Sequence, residues 1–184
     1  MTGDRRCVVL AVSGSVAVYK ACEVASSLVQ RGYRVPVALT PSAARLVTPV
    51  LFRAITGEPA VVDEFAPDAP AAMTHILLAD AADAFLVAPA SADVLARLAL
   101  GLANDLVTTT ALALRPEAKR LFAPAMNARM LANPIVRKNL DALRALGWTT
   151  IDPETGHLAC GVEGPGRLAD PAKIVAAVER ALAG

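Results

Sequence analysis

A short apolar run that ends in glycine and leads directly into a helical pattern restricts this chain to few folds. The run CVVLAVSGS is rich in β-branched residues and stops at Gly14, which is typical of a buried strand. Apolar side chains then recur at helical spacing from Val16 to a stop at Gly32, and RVPVALTPSA predicts a second strand ending at Thr40. Because parallel strands need a crossover connection, this βαβ unit predicts a parallel sheet.

The rest of the chain continues the alternation. The segment SAARLVTPVLFRAITG has a helical pattern that Pro49 is expected to kink or break. Two central strands are predicted in AFLVAPAS and KRLFAPAMN, and a last strand in TTIDP. Amphipathic helices are predicted in NPIVRKNLDALRALG and DPAKIVAAVERALA, with Asn133 and Asp170 as N-caps ahead of prolines. The segment GHLACGVEGPGRLADP is so rich in glycine and proline that neither helix nor strand is expected there.

The predicted fold class is therefore α/β, with a Rossmann-like or flavodoxin-like doubly wound parallel sheet in three αβα layers. A chain of 184 residues predicts one domain over 1–184. Hydrophobic residues make up 55% and aromatic residues 4% of the chain, which suits sheets built from Ala, Val and Leu. The net charge of +1 includes no basic block, and no apolar run is long enough to span a bilayer. We expect a small-molecule ligand, with neither nucleic acid nor membrane as partner.

The cysteines indicate the compartment. Cys7, Cys22 and Cys160 are odd in number and have no close pairing, which argues against a disulfide framework, and no metal-ligand spacing is present. The N-terminal apolar run is short and lacks a cleavage pattern, so we interpret it as a strand rather than a signal peptide. The predicted location is the cytoplasm.

Candidate binding loops follow the predicted strands, because open α/β sheets bind ligands at the carboxyl ends of their strands. They are SGSVA, TPSA, APASADV and APAMNARM. Glycine and hydroxyl residues that open a helix leave backbone N–H groups for an anion, so Gly14 and Ser15 suit a phosphate or a cofactor edge. An ordinary tight turn capped by Ser15 explains the same residues equally well, and the GxGxxG fingerprint is absent.

Three side chains suit chemistry, and each also has a structural explanation. His75 titrates near neutral pH and suits an acid or base, although a histidine beside an apolar run is more often a packing residue. Asn127 offers an amide that can hold a carboxylate or cap a helix. Cys160 is either a reactive loop thiol or a buried, inert one.

Two further kinds of residue have a favoured structural explanation. Met126 and Met130 lie four residues apart, as neighbours on a helical turn do, and core packing explains them best. His157 is predicted to be a solvated surface residue.

The ordered set of motifs is similar to that of the flavin-dependent cysteine decarboxylases, which include phosphopantothenoylcysteine decarboxylases and lantibiotic peptidyl-cysteine decarboxylases. The stretches that carry the resemblance are SGSVAVYKA, MTHILLADAADAFLVAPASADVLARLALGLANDLVTT, APAMNARM and LACGVEGPGRLADP. They cover most of residues 10–175, and PAMN with an upstream histidine and a downstream ACG is the most specific combination. The resemblance implies an FMN-binding Rossmann-like fold, with the flavin between protomers of a homotrimer that in some members assembles into a homododecamer.

The resemblance also assigns roles to residues. The implied FMN contacts are Gly14, Ser15, Val16, Thr40, Ser42, Ser91, Ala92, Asp93, Val94 and Ala125. His75 would stand against the flavin as a base or positioning group, Asn127 would hold the substrate carboxylate, and Cys160 would donate a proton. Met130 is the remaining implied substrate contact, and no metal is implied.

The implied reaction is decarboxylation of 4′-phospho-N-pantothenoyl-L-cysteine to 4′-phosphopantetheine in coenzyme A biosynthesis. A flavin takes two electrons from the thiol-bearing carbon, which makes loss of carbon dioxide easy, and then returns them. Longer bacterial members append a synthetase domain, so the predicted partner is a phosphopantothenoylcysteine synthetase, either on a separate chain or as a domain outside the given sequence. The alternatives are a peptidyl-cysteine decarboxylase, a flavin prenyltransferase of related fold, and a flavoprotein subunit that regulates a phosphatase.

Two residues depart from the family pattern. Many members have asparagine where this chain has Asp93, and a carboxylate there would repel a flavin phosphate unless it points away. Many members have an aromatic residue where this chain has Leu131, a change expected to alter the pocket wall but not the fold.

Overall fold

The computed structural model describes residues 5–66, 73–157, 161 and 163–184, and its central feature is a six-stranded parallel sheet. The strands of this sheet are β1 (Val8–Val12), β2 (Val37–Leu39), β3 (Ala60–Val61), β4 (Ala84–Ala90), β5 (Lys119–Pro124) and β6 (Thr149–Thr150). They lie in the order β3-β2-β1-β4-β5-β6, and neighbours pair in parallel. This is the strand order of the Rossmann fold, so the predicted fold class is confirmed.

Helices connect the strands and cover both faces of the sheet. The helices are α1 (Tyr19–Gln30), α2 (Pro41–Ala44), α3 (Pro49–Thr56), α4 (Thr74–Ala81), α5 (Ala92–Leu100), α6 (Leu106–Ala113), α7 (Ala128–Ala132), α8 (Pro134–Ala145) and α9 (Pro171–Ala183). A short 3₁₀ turn, Val16–Val18, precedes α1. None of the helices in the described part of the chain has the length and apolar character needed to cross a membrane.

The period-2 alternation of the strands divides the core into two layers. In β1, Val8, Leu10 and Val12 face one apolar cluster, which also contains buried residues of α1, α3 and α9. Val9 and Ala11 face the other cluster, with α4, α5, α6 and α8. Strands β1 and β4 are buried along their whole length, because helices lie on both sides of them. The three-layer αβα arrangement follows directly.

Local signals placed most helix ends correctly. Pro49 does break the second helical segment, and it becomes the first residue of α3. Asn133 and Asp170 are the N-caps of α8 and α9, and their side chains accept hydrogen bonds from the backbone N–H groups of Ile135 and Ala172.

The prediction that no strand forms near the C-terminus is wrong. A two-stranded antiparallel hairpin follows β6 and consists of β7 (Glu154–His157) and β8 (Glu163–Arg167), so TTIDP is the last strand of the central sheet only. Pro165 is tolerated because each strand of a two-stranded ribbon has an outer edge that needs no pairing.

Candidate active site

A cavity of about 410 Å³ lies where β1, β4 and β5 end, at the point where the strand order reverses. This is the expected ligand position in an open α/β sheet. Its described lining consists of Gly14, Ser15, Val16, Ala17, Tyr19, Lys20, Ser91, Ala92, Ala125, Met126, Asn127, Met130, His157, Gly166, Arg167 and Leu168. The cavity therefore brings together predicted residues from three of the four loops.

Buried Ser13 joins two of these loops. Its Oγ donates a hydrogen bond to the carbonyl oxygen of Pro89 over 2.7 Å and accepts one from the backbone N–H of Ser91 over 2.8 Å. Ser15 adds a link to the third loop, because its Oγ donates to the carbonyl oxygen of Ala125 over 3.3 Å. The loops after β1, β4 and β5 are thus joined to one another by hydrogen bonds within the protein itself.

Ser15 also has the structural role that its position allowed. Its Oγ accepts a hydrogen bond from the backbone N–H of Ala17 and caps the 3₁₀ turn. Ser91 caps α5 in the same way, through the N–H of Val94. The Val94 side chain is fully buried in the core and lies outside the described lining, so it packs in the core.

The second loop packs against the first. A Cβ atom at Gly14 would lie 2.5 Å from Ser42 Oγ and 2.7 Å from Ser42 Cβ, so only glycine allows this approach. Thr40 Oγ1 lies 3.0 Å from Ser42 Oγ and also caps α2 through the N–H of Ala43. Thr40 and Ser42 adjoin the first loop, but they are outside the lining formed by the described residues.

Two cationic side chains in the lining were missed by the sequence analysis. Lys20 is only 8% exposed, whereas Arg167 on β8 is exposed. Lys20 forms no hydrogen bond or ion pair with another described residue, whereas Arg167 interacts electrostatically with Glu154 on the paired strand. The described lining contains no Asp or Glu. A buried cation without a partner is costly, so the cavity favours an anionic ligand. The only sequence signal for Lys20 was its place in the first turn of α1.

The hairpin forms one wall of the cavity. The carbonyl oxygen of Gly166 accepts a hydrogen bond from the backbone N–H of Met126 over 3.0 Å. Gly166 has φ +117°, and a Cβ there would lie 2.2 Å from the Met126 carbonyl oxygen. His157 on β7 is exposed as predicted, but it also lines the cavity, which the sequence analysis did not foresee.

Asn127 and Met130 both lie in the cavity wall. The Asn127 side chain caps α7 by accepting a hydrogen bond from the Arg129 N–H over 2.8 Å, so its capping explanation holds alongside its place in the lining. Met130 is 47% exposed, and Met126 packs partly against the core. Packing therefore accounts for Met126 but not for Met130. Leu131 also packs against this core cluster.

Asp93 points away from the cavity. Its carboxylate pairs with the guanidinium of Arg97, one helical turn further along α5, and its side chain is 60% exposed. Arg97 also contacts Asp105, which caps α6. The Asp93 carboxylate is therefore paired with a cation and lies outside the described cavity lining.

His75 and Cys160 are not in the described lining. His75 lies on α4, where its Nδ1 is 2.5 Å from Glu64 Oε2. Cys160 falls outside the described residues. The described cavity lining thus contains residues of three of the four predicted loops but not His75.

Comparison with known proteins identifies the family. The family model described as Flavoprotein matches residues 1–183. The chain belongs to the flavoprotein family. The coenzyme A biosynthesis bifunctional protein CoaBC of Bacillus subtilis is 45% identical over 177 residues, which are 96% of this chain and 43% of that protein. This flavoprotein therefore spans less than half the length of its bifunctional relative.

A relative of similar length and two solved structures refine the comparison. The probable phosphopantothenoylcysteine decarboxylase of Streptococcus mutans is 42% identical over 175 residues, covering 95% of this chain and 98% of that protein. A cysteine-to-serine mutant of PPC decarboxylase complexed with pantothenoylaminoethenethiol has a TM-score of 0.88 at 29% identity, over 98% and 100% of the two chains. The FMN-dependent cysteine decarboxylase SpaF has a TM-score of 0.82 at 31% identity, over 98% and 96%. The predicted family is confirmed.

The residues of the cavity fit a flavin and its phosphate. Backbone N–H groups open the helical segment after β1, Lys20 lacks a partner, and no described lining residue is acidic. Val16, Met126 and Leu168 supply apolar surface suited to a planar ring.

Proposed function

We propose that this flavoprotein is an FMN-dependent decarboxylase that converts 4′-phospho-N-pantothenoyl-L-cysteine to 4′-phosphopantetheine in coenzyme A biosynthesis. The C–C bond to the carboxylate breaks, carbon dioxide leaves and a proton takes its place, with no net oxidation. The likeness to phosphopantothenoylcysteine decarboxylases in sequence and fold supports this activity.

The cation-lined cavity is the observation that carries the proposal. Lys20 is buried without a partner among the described residues, Arg167 adds a second cation, and Asn127 lies in the same lining. FMN brings one phosphate, and the substrate brings another together with a carboxylate. A site for three anionic groups needs cations and amide or backbone donors without nearby carboxylates, which is the composition of this lining.

The flavin would be held by the mutually bonded loops. The flavin contacts would come from Gly14, Ser15 and Val16 in the loop after β1, from Ser91 and Ala92 in the loop after β4, and from Ala125 in the loop after β5. Thr40 and Ser42, which the resemblance also implied, would support the first loop from outside this lining. Asp93 and Val94, the other two implied contacts, would face Arg97 and the core instead. When bound, FMN supplies a temporary acceptor for the electron pair that decarboxylation requires.

The protein side chains would bind the substrate and deliver the proton. The amide of Asn127 would hold the carboxylate, and Met130 would contact the substrate beside it. Cys160 would protonate the product carbon. The cysteine-to-serine mutant of PPC decarboxylase complexed with an aminoethenethiol supports this role, since a missing proton donor would leave an enethiol.

The position of His75 supports assembly of several protomers. It lies outside the cavity of its own protomer, on a helix where Leu77 is 55% exposed; Leu112 on the neighbouring α6 is 58% exposed. We propose that a second protomer covers this apolar surface and receives His75 against its flavin, in a homotrimer or a homododecamer of trimers. The proposed location is the cytoplasm, and the proposed partner is a phosphopantothenoylcysteine synthetase, either as a separate chain or as a joined domain.

Absorbance and mass spectrometry together test the function. The purified protein should be yellow and should convert 4′-phospho-N-pantothenoyl-L-cysteine to 4′-phosphopantetheine with loss of carbon dioxide. A yellow protein that is inert to this substrate would redirect the search to peptidyl cysteines or to prenyl transfer. A colourless protein that does not take up FMN would overturn the proposal.

Two variants test the assigned residues. Cys160→Ser should release carbon dioxide but stop at a species with two hydrogens fewer than the product, whereas Cys22→Ser, at a half-buried thiol on α1, should turn over normally. Asn127→Asp should abolish substrate binding by charge repulsion. Because aspartate caps helices as well as asparagine does, α7 should remain intact, and unchanged affinity would remove Asn127 from the site.

A further inference from the structure

The start of α4 has no cap of its own. Its N-cap residue is Met73, which has a left-handed backbone with φ 61° and makes no side-chain capping hydrogen bond. Glu64, eleven residues before His75, supplies a carboxylate at this helix end: its Oε2 lies 3.5 Å from the backbone nitrogen of His75. An anion at the first turn is also favoured by the helix dipole.

The same carboxylate oxygen contacts the imidazole ring. Glu64 Oε2 lies 2.5 Å from His75 Nδ1, and the side chains of Glu64 and His75 are 10% and 21% exposed. The turn that carries Glu64 has its own hydrogen bond, in which the Asp63 carboxylate accepts the N–H of Phe65 over 2.9 Å. One oxygen of a nearly buried side chain therefore contacts both the backbone nitrogen and the ring of His75.

The contact determines which ring nitrogen is free. Glu64 Oε2 already accepts the backbone N–H of His75, so it acts as an acceptor, and its contact with the ring is assigned to a proton on Nδ1. In the neutral ring the lone pair then belongs to Nε2, directed away from Glu64. Helix α6 packs against α4, and its segment LVTTTALA contains no charged residue, so α6 places no competing charge beside α4.

We propose that Glu64 is a positioning residue that holds His75 as the Nδ1–H tautomer, so that Nε2 is the nitrogen presented to the flavin or substrate. This inference rests on the proposed function for its catalytic consequence, but the tautomer itself can be measured without substrate. Glu64 does not touch the cavity described above and acts only through His75.

Nitrogen NMR tests the tautomer directly. The chain has only two histidines, so a sample labelled with ¹⁵N-histidine gives two ring systems, and His157→Gln assigns them. At a pH where the ring is neutral, His75 should show a protonated Nδ1 and an unprotonated Nε2. A wild-type spectrum with the proton on Nε2 would overturn the proposal, and it requires no Glu64 variant to fold.

Kinetics of Glu64→Ala tests the consequence. We expect kcat to fall about ten- to hundredfold with KM changed less than about twofold, by analogy with the loss seen when the hydrogen-bond partner of a metal-bound histidine is removed. The proton should move to Nε2 in the same variant. Wild-type kcat, or a ring that keeps its Nδ1 proton, would contradict the positioning role.

Glu58→Ala is the matched control. Glu58 pairs with Arg34 at 3.2 Å, and its side chain is 18% exposed, so this variant removes a carboxylate of similar burial together with its contacts. It should lose comparable stability and leave both the His75 tautomer and kcat unchanged. If wild-type protein shows the expected tautomer but does not decarboxylate the substrate, the proposed function fails while the Glu64–His75 arrangement stands.

Discussion

The two walls of the cavity are built differently. One wall, here called the loop wall, consists of the loops after β1, β4 and β5, which are held together by Ser13 and Ser15 at the end of a fully buried sheet. The other, the hairpin wall, is β7 and β8, whose strands pair only with each other in the described part of the chain. A preformed wall suits a cofactor that stays bound, whereas a weakly attached one suits a substrate that must enter and leave.

Gly166→Ala should have the largest effect on the hairpin wall. The new Cβ would lie 2.2 Å from the Met126 carbonyl oxygen at a backbone φ of +117°, so β8 would be forced away. We expect kcat/KM to fall by about a hundredfold or more, because small misplacements of substrate-binding groups cost that much. Retained flavin, measured by absorbance after desalting, should be unchanged.

Gly147→Ala controls for backbone strain in that experiment. Gly147 has φ +83° with no atom within 4 Å of the added Cβ, and it lies outside the described cavity lining. It should destabilise the protein by about 1 kcal/mol and leave turnover intact. Equal loss of turnover in both variants would refute the importance of the Gly166–Met126 contact.

Gly14→Ala should damage the loop wall instead. Its Cβ would meet Ser42 Oγ at 2.5 Å, and overpacking of this kind costs about 1–3 kcal/mol. We expect loss of bound flavin and a lower Tm of the apoprotein. Adding Ser42→Gly removes the nearest side-chain atoms and should restore part of the apoprotein Tm; no restoration would exclude this contact as the cause.

Ser13→Ala should lower the free energy of unfolding by about 1–3 kcal/mol, measured by urea unfolding, because the Ser91 N–H loses its acceptor.

Thr110→Val is the control for Ser13→Ala. Thr110 Oγ1 is buried without a hydrogen-bond partner, so replacing it with a methyl group should leave the free energy of unfolding unchanged or higher. Equal destabilisation by both variants would show that the Ser13 hydrogen bonds are not the source of the effect.

The smallest expected effect concerns the attachment of the hairpin to α9. Lys173 Nζ lies 2.6 Å from Glu154 Oε1, and its hydrogen bond lowers the pKa of the Glu154 carboxyl below the ordinary 4.5. The folded state then binds the proton less tightly than the unfolded chain. The contact therefore contributes its full stability at pH values above 4.5, and this stability is lost as the pH falls through the lowered pKa of Glu154. Lys173→Met should flatten the acid side of a plot of Tm against pH, while an unchanged profile would dismiss the contact.

The loop wall could be predicted from the sequence because its signals are local. Glycine after a strand, serine before a helix and proline at its first turn each act within a few residues, and they placed Gly14, Ser15 and Ser91 at strand ends. Lys20 was missed because nothing in the sequence shows which side of α1 meets the cavity.

The hairpin wall and the histidine could not be predicted in the same way. Glycine and proline usually disfavour strands, and β8 forms where Gly166 meets Met126, forty residues earlier in the chain. His75 depends on Glu64, which approaches it from the segment after β3. Both contacts are set by the folded chain as a whole rather than by any short pattern.

The self-paired hairpin has a consequence for the diversification of such proteins. Among the described residues, its bonds to the rest of the chain include the hydrogen bond from the Met126 N–H to Gly166 and the ion pair between Lys173 and Glu154. Exchange of such a segment between relatives would leave the central sheet packed as it is, so new substrates could be recruited while the inherited chemistry stays in place.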